Sequence, residues 1–159
     1  MILCGIDPGL SGALAIFHPE KGTLVLIDMP TVEVKVGASK KRRVSEPMLA
    51  ELLRPYGIEH AALEQVSAMP GQGVSSMFQF GLSYGAIRGV LAGLRIPITS
   101  VTPAKWMRDL KLNGGKDGSR QRASELFPAY AASFSRVKDN GRSDAALLAY
   151  WLASFSSTV

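Results

Sequence analysis

The opening of the chain leaves little freedom of architecture. Residues 2–7 form an apolar run that stops at Asp7-Pro8-Gly9, and residues 11–17 form a second, closed by His18-Pro19-Glu20-Lys21-Gly22. Residues 23–29 form a third, rich in Val, Leu and Ile. Apolar runs this short, punctuated by Pro and Gly, match strands joined by tight turns and not helices. Three of them in succession predict an antiparallel meander. The rest of the chain alternates between helix and strand patterns. Residues 47–56 carry apolar side chains at helical spacing (Met48, Leu49, Leu52, Leu53, Tyr56), with Pro47 suited to a first turn. A fourth strand is expected over residues 58–66, the longest helix over 75–94 and a fifth strand over 97–101. Helices are then expected from Thr102-Pro103 to Leu110, over 119–126 and over 143–154. This order predicts an α/β fold, a mixed sheet of three antiparallel strands and then parallel ones, flanked by helices on both faces. At 159 residues, one domain is expected over residues 1–159.

Hydrophobic residues at 47% and charged residues at 19% suffice for a buried core and exclude a disordered chain. The formal charge of +5 points to polyanions as partners, although the same excess also serves solubility. Cys4 is the one cysteine and lies in an apolar run, so it reads as a small buried hydrophobe. With one cysteine, and His18 and His60 far apart, a zinc site is excluded. The chain opens directly on a strand and carries no uninterrupted apolar span, so an intracellular, soluble protein without membrane contact is expected.

The informative residues are acids at the ends of apolar elements. Asp7 ends the first strand, Glu64 ends the fourth, and Asp144 opens the last helix. If the first and fourth strands are neighbours, Asp7 and Glu64 stand side by side, and carboxylates that close repel one another. Hard divalent cations such as Mg²⁺ relieve that repulsion, and a pair of them can activate water against a phosphodiester. Taken singly, each acid also has an ordinary reading: Asp7 as a turn acid, Glu64 as an ion-pair partner, Asp144 as a helix cap.

The segment Gly5-Ile6-Asp7-Pro8-Gly9-Leu10-Ser11-Gly12-Ala13 closely resembles the opening of the RuvC-type Holliday-junction resolvases of the RNase H superfamily. Leu63-Glu64-Gln65-Val66 resembles their second acidic motif. The run from Lys138 through Asp144 to Leu147 resembles the last, as found in chloroplast resolvases and phage-encoded relatives. Asp117-Gly118-Ser119-Arg120 and Leu126-Phe127-Pro128 resemble the same branch, so the likeness runs from Ile2 to about Leu152. It implies an RNase H-like domain acting as a homodimer that nicks four-way DNA junctions, with Mg²⁺ or Mn²⁺, two ions per site, on Asp7, Glu64 and Asp144. The family's fourth ligand falls on Asn140, which offers only a carbonyl oxygen where relatives carry an acid or a histidine. The replacement is a natural variant or an engineered exchange, and the sequence does not separate the two.

The resemblance also implies that Lys116 contacts the cleaved strand. Ser119 and Arg120 beside it sit on a glycine loop running into a helix, a setting suited to phosphate. Lys40, Lys41, Arg42 and Arg43 read as a mobile basic loop that grips DNA phosphates. Relatives carry an aromatic wedge just after the second acid; Ser67 stands there in this chain, so Met69 becomes the candidate for opening the junction. Phe78, Phe80 and Tyr84 read as core or interface, with the small residues of that helix (Gly81, Ser83, Gly85, Ala86, Gly89, Gly93) allowing a partner to approach. No small-molecule substrate is expected, because a kinase or actin-like domain needs further phosphate motifs and a second domain. A junction-binding protein that has lost cleavage, suggested by Asn140, and a nuclease for RNA–DNA hybrids remain alternatives. The host reads as a bacterium or a phage-infected cell.

Overall fold

The computed structural model describes residues 1–156; the single-domain expectation also took in residues 157–159, which lie outside the described residues. The meander forms as expected, from β1 (Leu3–Asp7), β2 (Ala13–His18) and β3 (Thr23–Asp28). The fourth expected strand is His60–Glu64 and the fifth Ile98–Val101; a hairpin precedes them, so in chain order they are β6 and β7. The sheet order is β3-β2-β1-β6-β7, with β1 antiparallel to β2 and parallel to β6. The central strand β1 is therefore hydrogen-bonded on both edges.

Between β3 and the first helix lies a two-stranded hairpin, where the basic run predicts a mobile loop. Strands β4 (Thr31–Val36) and β5 (Ser39–Val44) pair antiparallel around Gly37 and Ala38. Gly37 takes φ 60°, a left-handed conformation that suits glycine and reverses the chain in two residues. The alternation of Val32, Val34 and Val36 is the signal for this pairing, and it outweighs the charge of the facing strand. The hairpin is anchored: Arg43 Nε donates to Gln79 Oε1 at 2.9 Å, and Ser45 N donates to Pro30 O at 2.9 Å.

Helices cover both faces. On one lie α1 (Glu46–Leu53) and α2 (Val74–Gly93), packing Leu49, Leu53, Ile87 and Leu91 against Cys4, Ile6 and Leu63. On the other lie α3 (Pro103–Asp109), α4 (Gly118–Leu126) and α5 (Asn140–Phe155), packing Trp106, Ala123 and Leu148 against Leu3, Ala15 and Ala62. Burial pushes the Cys4 thiol up to about 12, consistent with an inert buried sulfur. No helix among the described residues is long and apolar enough to cross a membrane.

Candidate active site

Strand alternation decides where the two sheet acids point. Side chains of β1 alternate between the two cores, Leu3 toward α5 and Cys4 and Ile6 toward α2. Asp7 falls in phase with Leu3 and so belongs to the α5 face. On β6, Ala62 faces α5 while Ala61 and Leu63 face α2, which puts Glu64 on the α5 face as well. Ile6 and Leu63 are direct partners in the parallel ladder, so Asp7 and Glu64 are the next residues along adjacent strands. The expectation that the first and fourth strands adjoin holds, and it brings these carboxylates together.

Helix α5 supplies the rest. A Cβ on Gly5 would collide with the backbone of Ala145 and Ala149, so the missing side chain lets α5 lie directly on β1. Asp144 precedes Ala145 and is thereby lowered over the end of β1. The helix starts at Asn140, three residues earlier than expected, so Asp144 sits in its second turn and does not cap it. Asn140 and Asp144, four residues apart, share one face. Each buries a side-chain oxygen, Oδ1 in both cases, that has no hydrogen-bond partner.

The electrostatics follow from this crowding. Burial raises Asp7 against the opposing hydrogen bond from Gly9 N, and burial raises Glu64 with help from the Asp7 charge. Asp144 is pushed up to about 7, first by burial and further by Asp7 and Glu64, while a hydrogen bond from Ser119 opposes the rise. Trp106 was not foreseen: its Nε1–H donates to Glu64 Oε2 at 3.0 Å from the buried side of α3. Nothing in the local sequence of α3 shows which way an indole N–H will point.

Among the described residues, no three His, Cys, Asp or Glu side chains are drawn together to metal-ligand spacing. The donor set nevertheless suits a hard cation. Burial raises all three half-buried carboxylates, Asp7 further raises Glu64 and both raise Asp144, and two oxygens are buried without donors, which is costly unless a positive charge joins them. Asp7, Glu64 and Asp144 offer charged oxygens, and Asn140 offers a neutral one.

Comparison with known proteins bears on this arrangement. No family model matches the chain. It is 32% identical over 117 residues to the chloroplastic Holliday junction resolvase MOC1 of Chlamydomonas reinhardtii, a match covering 69% of this chain and 13% of that protein. Thus the chain spans only a small part of that relative's length. Over nearly its full length it superimposes on Thermus thermophilus RuvC solved in complex with a Holliday junction substrate, with a TM-score of 0.67 and 14% identity. That alignment covers 99% of this chain and 97% of the other. The fold is RuvC-like. A second Thermus thermophilus RuvC structure gives a TM-score of 0.58 at 17% identity, covering 96% of this chain and 95% of that one. The RNase H-like mixed sheet flanked by helices is thereby established.

Around the acids of this RuvC-like fold, the expected basic residues are dispersed. Lys116 is exposed on the loop before α4. Ser119 is half-buried in the first turn of α4, near enough to Asp144 to oppose the rise of its carboxyl. The guanidinium of Arg120 is engaged internally, pairing with Asp117 and donating to Ser135 O at 3.0 Å. On β5, Lys40 meets Glu33 at 3.8 Å across the hairpin, Lys41 is exposed, and Arg42 donates to Leu10 O at 2.6 Å. The basic run is therefore a strand edge fixed beside the Pro8–Gly12 turn, and not a mobile loop. Met69 is 64% exposed in the loop after β6. Phe78 and Phe80 are not core residues: they are 64% and 39% exposed on α2.

Proposed function

We propose that the chain is a divalent-metal-dependent endonuclease that resolves four-way DNA junctions by nicking two strands symmetrically as a homodimer. The observation that carries this reading is the convergence of Asp7, Glu64, Asp144 and Asn140 at one end of a RuvC-like sheet, with two buried oxygens lacking donors. Similarity to the MOC1 resolvase and the RuvC fold supports the substrate class. The residues at 1–159 then act as one nuclease domain. When bound, divalent ions on these four residues supply water activation and charge neutralisation at the scissile phosphate.

The protein side of the mechanism is positioning. Trp106 holds the Glu64 carboxylate in one orientation by donating to one of its oxygens. Asp144 is carried by α5, whose contact with β1 fixes its height over the sheet. Lys116, on a loop leading into α4, reaches for the cleaved strand. Lys40, Lys41, Arg42 and Arg43 present an edge of positive charge to phosphates beside the Pro8–Gly12 turn. Met69 unstacks bases at the junction centre. Asn140 lacks the charge that an acid would bring and offers no general base, which favours slow cleavage or binding without cleavage as a second reading.

The deciding experiment is incubation of the protein with a synthetic four-way junction, with and without Mg²⁺ or Mn²⁺, beside an RNA–DNA hybrid. Paired symmetric nicks that need the metal and vanish in Asp7→Asn, with junction binding retained, are the expected result. Full cleavage by Asp7→Asn overturns the mechanism. Tight junction binding without cleavage in either metal selects the second reading, and preferential cutting of the hybrid overturns the substrate.

A further inference from the structure

A cavity of about 290 Å³ lies against the turn that follows Asp7, lined there by Leu10, Ser11 and Gly12. Four cations from distant parts of the chain also line it: Arg42, Arg136, Lys138 and Arg142. Two of them are fixed by carboxylates. Arg142 makes a bidentate pair with Asp28, at 2.7 and 2.9 Å, tying α5 to the end of β3. Arg136 makes the same kind of pair with the buried Asp139, at 3.1 and 2.9 Å. Arg42 is held by its donation to Leu10 O, and the ammonium of exposed Lys138 enters none of these pairs. Four cations thus face two carboxylates, leaving positive charge for an anion. The carboxylates also set the planes of two guanidinium groups, so little side-chain entropy is lost when an acceptor arrives.

We infer that this cavity is a phosphate-binding subsite, built to hold one backbone phosphodiester of the DNA strand flanking the site of cleavage. The inference rests on the proposed junction-nuclease reading, because the cavity and Asp7 flank the same turn. The turn begins at Asp7 and ends at Gly12, so a phosphate in the cavity and one at the acids belong to nearby nucleotides. A diester offers two charged oxygens to separate donors, which suits a cavity whose cations come from β5, α5 and the segment before it. Lys138 and Arg42 supply the charge that attracts the phosphate. Arg136 and Arg142, already neutralised, supply oriented N–H groups.

The test is junction affinity without divalent metal, measured across a range of salt concentrations for the wild type, Lys138→Ala, Lys138→Arg and Lys21→Ala. Lys21 lies on the β2–β3 turn, at the end of the sheet away from Asp7, and serves as the control for loss of a lysine. Lys138→Ala should weaken binding about three- to tenfold at low salt and reduce the slope of log affinity against log salt by about 0.9. Lys138→Arg should restore the slope, and Lys21→Ala should leave it unchanged. A methylphosphonate at the bound position should weaken the wild type and have a smaller effect on Lys138→Ala. Wild-type slope in Lys138→Ala, with selective junction binding intact, overturns the subsite while the nuclease reading stands. Failure of the wild type to prefer the junction over duplex overturns both. Thermal stabilisation by inorganic phosphate alone, lost in Lys138→Ala without any change in the DNA slope, assigns the cavity to a free anion and overturns the DNA contact.

Discussion

At the residue scale, the acids of the site trade stability for chemistry. Asp144 holds its proton up to about 7 in the folded state against an ordinary value of 3.8. The folded protein therefore binds that proton more tightly than the unfolded chain, and stability falls as pH rises through the interval between these values. Asp144→Asn removes the penalty: without divalent metal at pH 8, its stability should exceed that of the wild type by on the order of 1–3 kcal/mol. The gain should disappear near pH 4, and Mg²⁺ should raise the wild-type melting temperature more than that of the variant. Chemical and thermal melts in chelator and in Mg²⁺ check this, and equal stabilities at pH 8 would remove the crowded-carboxylate argument. Asn140 gives a second prediction here. Asn140→Asp restores a charged oxygen on the face of α5 that carries Asp144, so the metal-dependent nicking rate should rise at least severalfold with little change in junction affinity. An unchanged rate across Mg²⁺ and Mn²⁺ titrations would mean that position 140 is not a ligand. That Asp7 and Glu64 end neighbouring strands was legible because strands end where apolar runs end, whereas Asp144 lies inside a helix that starts three residues earlier than its period suggested. Their surroundings were not: the Trp106 bond to Glu64 and the nearness of Ser119 to Asp144 depend on how α3 and α4 dock on the sheet, and no local pattern encodes that.

At the scale of elements, the contact between α5 and β1 is the one that sets the site. Their separation is dictated by Gly5, where a Cβ would strike the α5 backbone at Ala145 and Ala149. Backbone cannot rotate aside as a side chain can, so Gly5→Ala forces the helix outward. The expected cost is about 1–3 kcal/mol or more by overpacking, read from urea unfolding. Nicking by the folded fraction should fall further than stability does, because Asp144 moves with the helix. Wild-type activity per folded molecule would show that helix height does not matter. The helices and the sheet strands were readable to within a few residues from period and punctuation. The β4–β5 hairpin was not, since Lys40, Lys41, Arg42 and Arg43 look like a solvated loop until the partner strand is considered. A strand at the protein's edge tolerates charge on both faces, and here only its last residues are covered. Helix α2 was placed correctly in the chain, but its apolar residues run around the whole circumference, so its buried side could not be read from period.

At the scale of the whole molecule, α2 raises the question of what its outer face is for. Ser83, Ile87 and Leu91 face the core, while Val74, Phe78 and Leu82, spaced by four, are exposed in a line. Beside them run Gly81, Gly85 and Gly89, and a Cβ at any of these would meet nothing within 4 Å. A small-residue stripe has no packing role inside this protomer. Against a second copy it would let two α2 helices approach closely while Phe78 and Leu82 fill the flanks. Pairing of the same face across a two-fold axis is self-complementary, closes the assembly at two, and presents two acid sites to the two equivalent strands of a four-way junction. The wild type is therefore expected to sediment as a dimer at micromolar concentration. Phe78→Glu should shift it to monomer by burying a charge in the interface, with no change in the monomer's fold by circular dichroism. The variant should leave single nicks in junctions that the wild type cuts in pairs, and its intrinsic rate per site should fall less than paired resolution does. Sedimentation of the wild type as a monomer, free and with junction, together with paired cutting by Phe78→Glu, would sink the dimer.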